Sequence, residues 1–334
     1  MTFGATIIDA DGLRLTADEK TLFRDADPFG FILFARNIDT PDQVRALCDE
    51  MREAVGREAL ITIDQEGGRV QRMRAPHWRE WMPPLELVAL AGAHAPRAMY
   101  LMYRIIAAEL RSVGIDSNCA PMVDVAGAAT HAFLRNRCYS SDPVRVAQLG
   151  RAAADGMLSG GVLPVLKHMP GHGRATMDSH FDLPTVSAPL DDLFQTDFVP
   201  FKALNHLPMG MTAHLVYEAL DDTPATLSPK VMQLIRDDLD FDNLIMTDDI
   251  SMKALSGTPS ENAAAAIKAG CDVVLYCNAS LEDRRAVTQA AGRMTPTAQI
   301  RAERALAMRT QPDAVDIPAL EREFEALLGG AVHG

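Results

Sequence analysis

The segment from Lys167 to His180 concentrates side chains that can transfer protons or bind polar ligands. It contains Lys167, three histidines (His168, His172 and His180) and Asp178, directly after the apolar run GVLPVL. Histidine exchanges protons near neutral pH, and a neighbouring carboxylate can fix its tautomer and raise its basicity. The segment therefore predicts acid–base chemistry at a compact site.

Pro170, Gly171 and Gly173 indicate that these side chains lie on a loop that leaves a buried strand. Proline and glycine both interrupt regular helices. Loops at the carboxyl ends of parallel strands hold the reactive groups of α/β enzymes. A polar surface loop is the alternative, but similar strand ends recur along the chain and favour a catalytic site.

Short apolar runs alternate with longer amphipathic stretches from end to end. The candidate strands are ATIIDA, FGFILFAR, ALITID, IDSNCAPMVDV, VLPVLKH, MGMTAH, LIMTDD and DVVLYC. Thr40 and Ser228 each precede a proline and are predicted to cap helices. This alternation, without a linker, predicts one α/β domain over residues 1–334, a (β/α)8 TIM-type barrel with a C-terminal helix at about 316–330 on its flank.

Ionisable residues stand at the ends of five of these strands. They are Asp64, Asp124, Lys167 with His168, His214 and Asp248. Buried parallel strands should stay apolar to their ends, because an unpaired charge there costs free energy. Five such ends on one rim of a barrel predict an active site.

Charge and composition limit the class of protein. The chain has 334 residues and a net charge of −13, which argues against nucleic acid or anionic membrane as a partner. Neither a secretory signal nor a run near the ~20 apolar residues of a membrane span is evident. The five cysteines form no CxxC pair, so a reduced, cytoplasmic protein is expected, and we predict a monomer without metal or organic cofactor.

Three motifs, in order along the chain, resemble those of the bacterial β-N-acetylglucosaminidases of glycoside hydrolase family 3. They are IDQEGGRVQR at 63–72, KHMPGHG with the downstream DSH, and MTDDISM at 246–252. The resemblance covers about residues 30–280 and implies a TIM-type barrel that cleaves terminal β-linked GlcNAc with retention of configuration. Met169 stands where the family normally has an aromatic or aliphatic residue.

The resemblance also assigns catalytic roles. Asp248 would be the nucleophile that forms a covalent glycosyl-enzyme, and His180, assisted by Asp178, would be the general acid and base. A histidine suits this role, because it can protonate the leaving oxygen and later deprotonate water. The residues alone do not distinguish Asp248 from Asp249, which we expect to cap the following helix or to pair with a cation.

The remaining polar residues would bind the sugar. This predicted set comprises Asp64, Arg72, Arg137, Lys167, His168 and His214, with His214 equally suited to a supporting role. His172 is expected to brace its loop through hydrogen bonds. A basic mouth made of Arg72, Arg137, Lys167 and Arg174 would suit acidic muropeptides. The implied substrate is GlcNAc-1,6-anhydroMurNAc, with or without peptide, in peptidoglycan recycling.

Other functions use the same residues. A phosphorylase is the serious alternative, because a histidine, unlike a carboxylate, would not repel phosphate as it approaches the intermediate. A zinc hydrolase is disfavoured because the histidines lack the His-x-x-x-His spacing that places two ligands on one face of a helix. A Schiff-base aldolase using Lys167 leaves the PGHG and TDD motifs unexplained, and a sugar sensor without turnover would be expected to lack Asp248 or the loop pair.

Replacing His180 with alanine tests the predicted general acid. The variant should lose most activity on natural disaccharides and least on activated aryl glycosides, whose leaving groups need little protonation. The ratio of kcat/KM on the two substrate types measures this difference. Equal losses on both would contradict the assignment.

Overall fold

Strands and helices alternate along the chain in the computed structural model, which describes residues 2–128, 130–175 and 183–329. Eight strands build its two larger parallel sheets: β1 (Gly4–Ile8), β2 (Pro28–Leu33), β3 (Leu60–Ile63), β4 (Ser117–Asn118), β5 (Leu163–Met169), β6 (Met209–Thr212), β7 (Leu244–Met246) and β8 (Val274–Tyr276). A further small parallel pair joins Thr185–Val186 to Val216–Tyr217. Each of the eight strands overlaps one of the predicted apolar runs, and the predicted α/β class is confirmed.

Helices follow most of these strands. Those of the described residues are α1 (Ala17–Ala26), α2 (Pro41–Val55), α3 (Pro84–Ala91), α4 (Ala95–Ser112), α5 (Ala132–Arg135), α6 (Pro143–Ser159), α7 (Leu190–Gln195), α8 (Val199–Ala203), α9 (Pro229–Gln233), α10 (Pro259–Ala269), α11 (Leu281–Ala291), α12 (Pro296–Ala307) and α13 (Ile317–Leu327). Both predicted caps are confirmed, since Thr40 Oγ1 accepts from Gln43 N and Ser228 Oγ accepts from Val231 N. None of these helices is both long and apolar enough to cross a bilayer.

The strands form two four-stranded parallel sheets, ordered β8-β1-β2-β3 and β7-β6-β5-β4. Further backbone hydrogen bonds connect the sheets at both edges. Cys119 N donates to Ile63 O at 2.8 Å, and Thr247 N donates to Val273 O at 3.0 Å. Because the strands run parallel, the polar residues at their carboxyl ends collect on one side of the molecule.

A hairpin follows β3 and is flanked by the predicted site residues Asp64 and Arg72. Its strands, Gln65–Gly67 and Val70–Gln71, are antiparallel. Gly67 has φ +106°, and a Cβ there would lie 2.7 Å from Met82 O, so the turn requires glycine. The neighbouring Gly68 N donates to Trp81 O at 2.7 Å, which attaches the hairpin to the following segment.

The core consists of apolar side chains from the sheets and the helices that cover them. The buried side chains Ile7, Phe31 and Leu166 belong to it. The C-terminal helix α13 packs against α4. The ring of Phe324 on α13 also meets the ring of Trp81 edge to face, with the ring centres 5.6 Å apart. This packing places α13 behind the segment that supports the hairpin.

Candidate active site

A cavity of about 720 Å³ lies at the carboxyl ends of the strands. Its lining includes six of the predicted site residues: Asp64, Arg72, Arg137, Lys167, His168 and Asp248. These residues come from distant parts of the sequence, and the strand ends bring them together. Two other predicted residues, Asp178 and His180, lie outside the described residues, and their catalytic roles stay predictions.

Asp64, at the end of β3, lies between two cations. Its carboxylate oxygens are 3.0 Å from Lys167 Nζ and 3.0 Å from Arg72 Nη2. Burial by itself would raise the pKa of Asp64, but the charges of Lys167 and Arg72 outweigh it and hold that pKa well below its usual range. Asp64 is therefore an ionised hydrogen-bond acceptor within the cavity.

Glu66 is a functional candidate that the sequence reasoning missed. Its carboxylate lies 2.6 Å from Lys167 Nζ and accepts two hydrogen bonds from Arg137, at 2.9 and 2.8 Å. Burial favours the neutral acid, but Arg137 and Lys167 lower the pKa of Glu66 to about 2. Because its side chain is only 1 % exposed, Glu66 supports these cations from beneath the cavity.

The local fold directs Glu66 inward. The amide of Asn118 pairs with the backbone of Gln65, accepting from Gln65 N at 2.9 Å and donating to Gln65 O at 3.0 Å. The side chain of Gln65 in turn accepts from Arg72 N at 2.9 Å. The hairpin is thereby fixed against β4, with Glu66 directed towards Lys167 on β5.

His168 is oriented by Asp124, which lies beyond β4. His168 Nδ1 donates to Asp124 Oδ2 at 2.7 Å, so Nε2 is the ring nitrogen left to face the cavity. Burial alone would raise the pKa of Asp124, but His168 lowers it overall. A carboxylate that fixes a histidine ring in this way prepares it to bond a substrate hydroxyl.

His172 holds its loop differently from the expectation. Its backbone N donates to Asp124 Oδ1 at 2.6 Å, whereas its ring nitrogens have no hydrogen-bond partner among the described residues. Burial and the neighbouring His168 lower the pKa of His172 to about 4, so the ring is neutral near pH 7. The backbone rather than the ring braces this loop.

The one potential metal-binding cluster found among the described residues consists of Asp124, His168 and His172, with ligand atoms within 4.8 Å of one another. Asp124 already accepts three hydrogen bonds from the two histidines. An ion would have to replace the bond between His168 and Asp124 in order to use both residues. The geometry favours a hydrogen-bonded pair, and the absence of a functional metal stays a prediction.

Asp248 follows β7 and faces the cavity. Its Oδ1 accepts from Asp249 N at 2.8 Å. Burial raises the pKa of Asp248, but His214 and His168 lower it below its ordinary value overall. An ionised carboxylate at this position suits a nucleophile, because it is already deprotonated when a substrate arrives.

Asp249 has a structural function that differs from the expected helix cap. Its Oδ1 accepts from Ser251 N at 2.9 Å and from Cys277 N at 3.3 Å, and residues 250–256 form turns rather than a helix. Burial raises the pKa of Asp249 to about 6. Asp249 therefore caps a turn and connects it to the segment after β8.

His214 supports the turn that carries Asp248 from outside the cavity. Its Nδ1 is 2.8 Å from Thr226 Oγ1, and its Nε2 donates to the backbone oxygen of Asp249 at 3.0 Å. The residue is buried and does not line the cavity. Of the two roles considered for His214, the geometry favours support of the turn that carries Asp248.

The prediction of a basic mouth is wrong for one of its four residues, Arg174. Arg174 donates to Asp197 Oδ2 at 2.7 Å and lies outside the cavity lining. Arg72, Arg137 and Lys167 do line the cavity, but they are paired with buried or half-buried carboxylates. These cations can still donate hydrogen bonds to hydroxyls, although their charge is largely balanced.

Comparisons with known proteins agree on one family. The model of the Glycosyl hydrolase family 3 N terminal domain matches residues 7–306. A beta-hexosaminidase of Methylococcus capsulatus is 40% identical over 283 residues, which are 81% of this chain and 82% of the relative. A beta-hexosaminidase of Pseudomonas aeruginosa is 37% identical over 282 residues, 82% of each chain. The structure of native NagZ from Neisseria gonorrhoeae superposes with a TM-score of 0.86 at 29% identity, covering 99% of this chain and 98% of that one.

Replacing Glu66 with glutamine should weaken binding of the GlcNAc ring more than it slows turnover. The change removes the charge that holds Lys167 and Arg137, so both donors shift, and kcat/KM on an aryl GlcNAc glycoside should fall about 10- to 100-fold, mainly through KM. Glu66→Asp keeps the charge and should recover part of the loss.

The control for this prediction is Glu19→Gln, at a buried glutamate that caps α1 away from the cavity. It should lower the melting temperature without changing KM. An unchanged KM in folded Glu66→Gln would contradict the positioning role.

Replacing His214 with asparagine should move the acidic limb of the kcat/KM profile to higher pH. His214 lowers the pKa of Asp248, so the Asp248 carboxylate stays ionised as the pH falls. Without His214 that pKa rises, and Asp248 is protonated at a higher pH. Thr226→Val, which keeps the histidine but removes a hydrogen bond, should shift the limb less. An unchanged limb would show that His214 does not act on Asp248.

Proposed function

This chain belongs to glycosyl hydrolase family 3 and is a glycoside hydrolase of the β-N-acetylhexosaminidase type, and we propose that it removes terminal, non-reducing β-linked GlcNAc from peptidoglycan fragments. The proposed substrate is GlcNAc-1,6-anhydroMurNAc, with or without peptide, and the proposed role is cell-wall recycling. The observation that carries this proposal is the ionised Asp248 in a cavity whose other polar groups are oriented donors and acceptors.

The proposed reaction proceeds in two steps with retention of configuration. Asp248 attacks the anomeric carbon and forms a glycosyl-enzyme, while His180, oriented by Asp178, protonates the departing oxygen. His180 then removes a proton from water, which attacks the same carbon and releases GlcNAc and free Asp248. The depressed pKa of Asp248 supports the first step, because the attacking oxygen must be unprotonated.

The proposed sugar contacts follow from the hydrogen-bonding capacity of the cavity wall. Asp64 would accept from ring hydroxyls, while Arg72, Arg137, Lys167 and His168 would supply donors or acceptors around them. Their partners in the protein hold them in place before a substrate binds. Such preorganisation matters because misplacement by ~1 Å can cost about 10²-fold in rate.

We also propose that the two sheets close into a single (β/α)8 barrel within one catalytic domain. The backbone hydrogen bonds at both sheet edges support this arrangement. The five cysteines are free and buried, which fits the proposed cytoplasmic location. A monomeric state is part of the same proposal.

Product analysis tests the proposed reaction. GlcNAc-1,6-anhydroMurNAc should yield free GlcNAc by mass spectrometry, both with and without phosphate. Asp248→Asn should abolish turnover while it keeps the fold and leaves sugar binding largely intact, and it serves as the control for contaminating activity. GlcNAc-1-phosphate formed only with phosphate would change the reaction to phosphorolysis and keep the residue assignments.

A further inference from the structure

Like the strands that supply the cavity lining, β1 ends in an ionisable residue. Asp9 directly follows β1 and is buried. Its Oδ1 accepts from Arg284 Nε at 2.8 Å, and its Oδ2 accepts from Arg36 Nη2 and, at 2.7 Å, from Asn278 N. Asp9 is therefore held by two arginines and in turn holds the backbone after β8.

The segment after β8 lies between two carboxylates. Cys277 N donates to Asp249 Oδ1 at 3.3 Å, and the next amide, Asn278 N, donates to Asp9. Asp249 also donates its own backbone N–H to Asp248 Oδ1 at 2.8 Å. A continuous path of hydrogen bonds and two short backbone links therefore leads from Asp9 to the carboxylate of Asp248.

Arg36 fixes the same segment through a side chain. Its Nη1 donates to Asn278 Oδ1 at 2.7 Å, while its Nη2 pairs with Asp9. Asn278 has φ +58°, a left-handed conformation that most residues with a side chain avoid and that asparagine tolerates. Because Asp9 bonds its backbone N–H and Arg36 bonds its side chain, Asn278 is held at two points.

The location of these contacts points to a function beyond charge balance. Arg284 is fully buried and already compensates Asp9 within the core. Arg36 is instead 33% exposed, and its guanidinium lies 5.0 Å from the ring centre of Phe34, which lines the cavity. Asn278 lines the same cavity as Asp248. The second arginine therefore acts where the fold meets the site.

We propose that Asp9 and Arg36 are positioning residues for catalysis, which hold the segment after β8 and, through Asp249, the turn that carries Asp248. This inference rests on the proposed role of Asp248 as the nucleophile. Misplacement of a reacting group by ~1 Å can cost about 10²-fold in rate, so the loss of one of several contacts should cost about 5- to 20-fold.

Replacing Arg36 with methionine tests the proposal. The change removes both hydrogen bonds and keeps an unbranched side chain beside Phe34. For an aryl GlcNAc glycoside, kcat should fall about 5- to 20-fold, because both steps of the reaction form or break the bond to Asp248, while KM should change less than about 2-fold. Arg36→Lys keeps a positive charge beside Asp9 and should recover part of kcat.

Asp9→Asn is a less informative change. It removes the carboxylate that compensates the buried Arg284, and breaking a buried ion pair in this way is strongly destabilising. An effect on folding would then mask an effect on turnover.

Arg57→Met is the matched control. Arg57 makes the same kinds of contact as Arg36, because its Nε donates to Asp27 Oδ1 at 2.9 Å and its guanidinium lies 4.4 Å from the ring centre of Phe3. It also donates to the backbone oxygen of Phe29 at 3.3 Å, at the amino end of β2 and so opposite the cavity. Arg57→Met should lower the melting temperature without changing kcat.

An unchanged kcat in folded Arg36→Met, or an equal fall in Arg57→Met, would overturn the proposal. A rise in KM alone would also overturn it, since Arg36 would then act on sugar binding through Phe34 rather than on Asp248.

Failure of the proposed function gives a different result. If Asp248→Asn retained turnover, Asp248 would not be the nucleophile, and the inference would lose its basis. If Asp248→Asn is inactive and Arg36→Met has a normal kcat, the proposed function stands and the positioning role alone is refuted.

Discussion

Lys167 is buried between Asp64 and Glu66, and this ion pairing determines how the surrounding site can be built. A buried ammonium group is costly unless carboxylates compensate it at close range. Glu66 also compensates Arg137, while Asp64 compensates Arg72. The five side chains form one network that joins β3, its hairpin, β5 and the segment after α5. The network can form only when these distant segments have assembled.

A second set of buried groups fixes the remaining polar residues of the cavity. Asp124 orients His168, and His214 holds the backbone of Asp249 beside Asp248. Asn118 holds the hairpin through the backbone of Gln65. Groups that contact a substrate must keep their positions without help from the substrate, and these partners provide that rigidity. The cavity can therefore present its donors and acceptors at little cost in reorganisation.

The sequence predicted much of the α/β arrangement and of the cavity lining, because strand periodicity and polar strand ends are local signals. Asp64, Lys167 and Asp248 could be found in this way. Glu66 could not, since its importance comes from contact with Arg137, 71 positions away in the sequence. A count of charges gives a clue: a buried lysine and two arginines on one rim need more than Asp64 to balance them.

Two expectations about Arg174 and Asp249 failed for the same reason that Glu66 was missed: contacts between residues that are distant in the sequence decide their roles. Arg174 was expected to line the mouth of the cavity. It instead pairs with Asp197 on a later segment and lies outside the cavity lining. Asp249 was expected to cap the following helix or to pair with a cation, yet it caps a turn and also accepts from Cys277 N, which approaches only in the folded sheet. Asp178 and His180 lie outside the described residues, so the acid–base half of the reaction still depends on the family resemblance.

The packing of Trp81 extends the site well beyond the cavity. Its backbone oxygen holds the turn of the hairpin, and its ring rests on Phe324 of the C-terminal helix. Arg79 adds ion pairs to Glu321 and Glu325 on the same helix. The position of the hairpin at the cavity therefore depends on the packing of α13. Changes that loosen α13, such as a bulky fusion or a truncation of this helix, would lower activity although no residue of α13 lines the cavity.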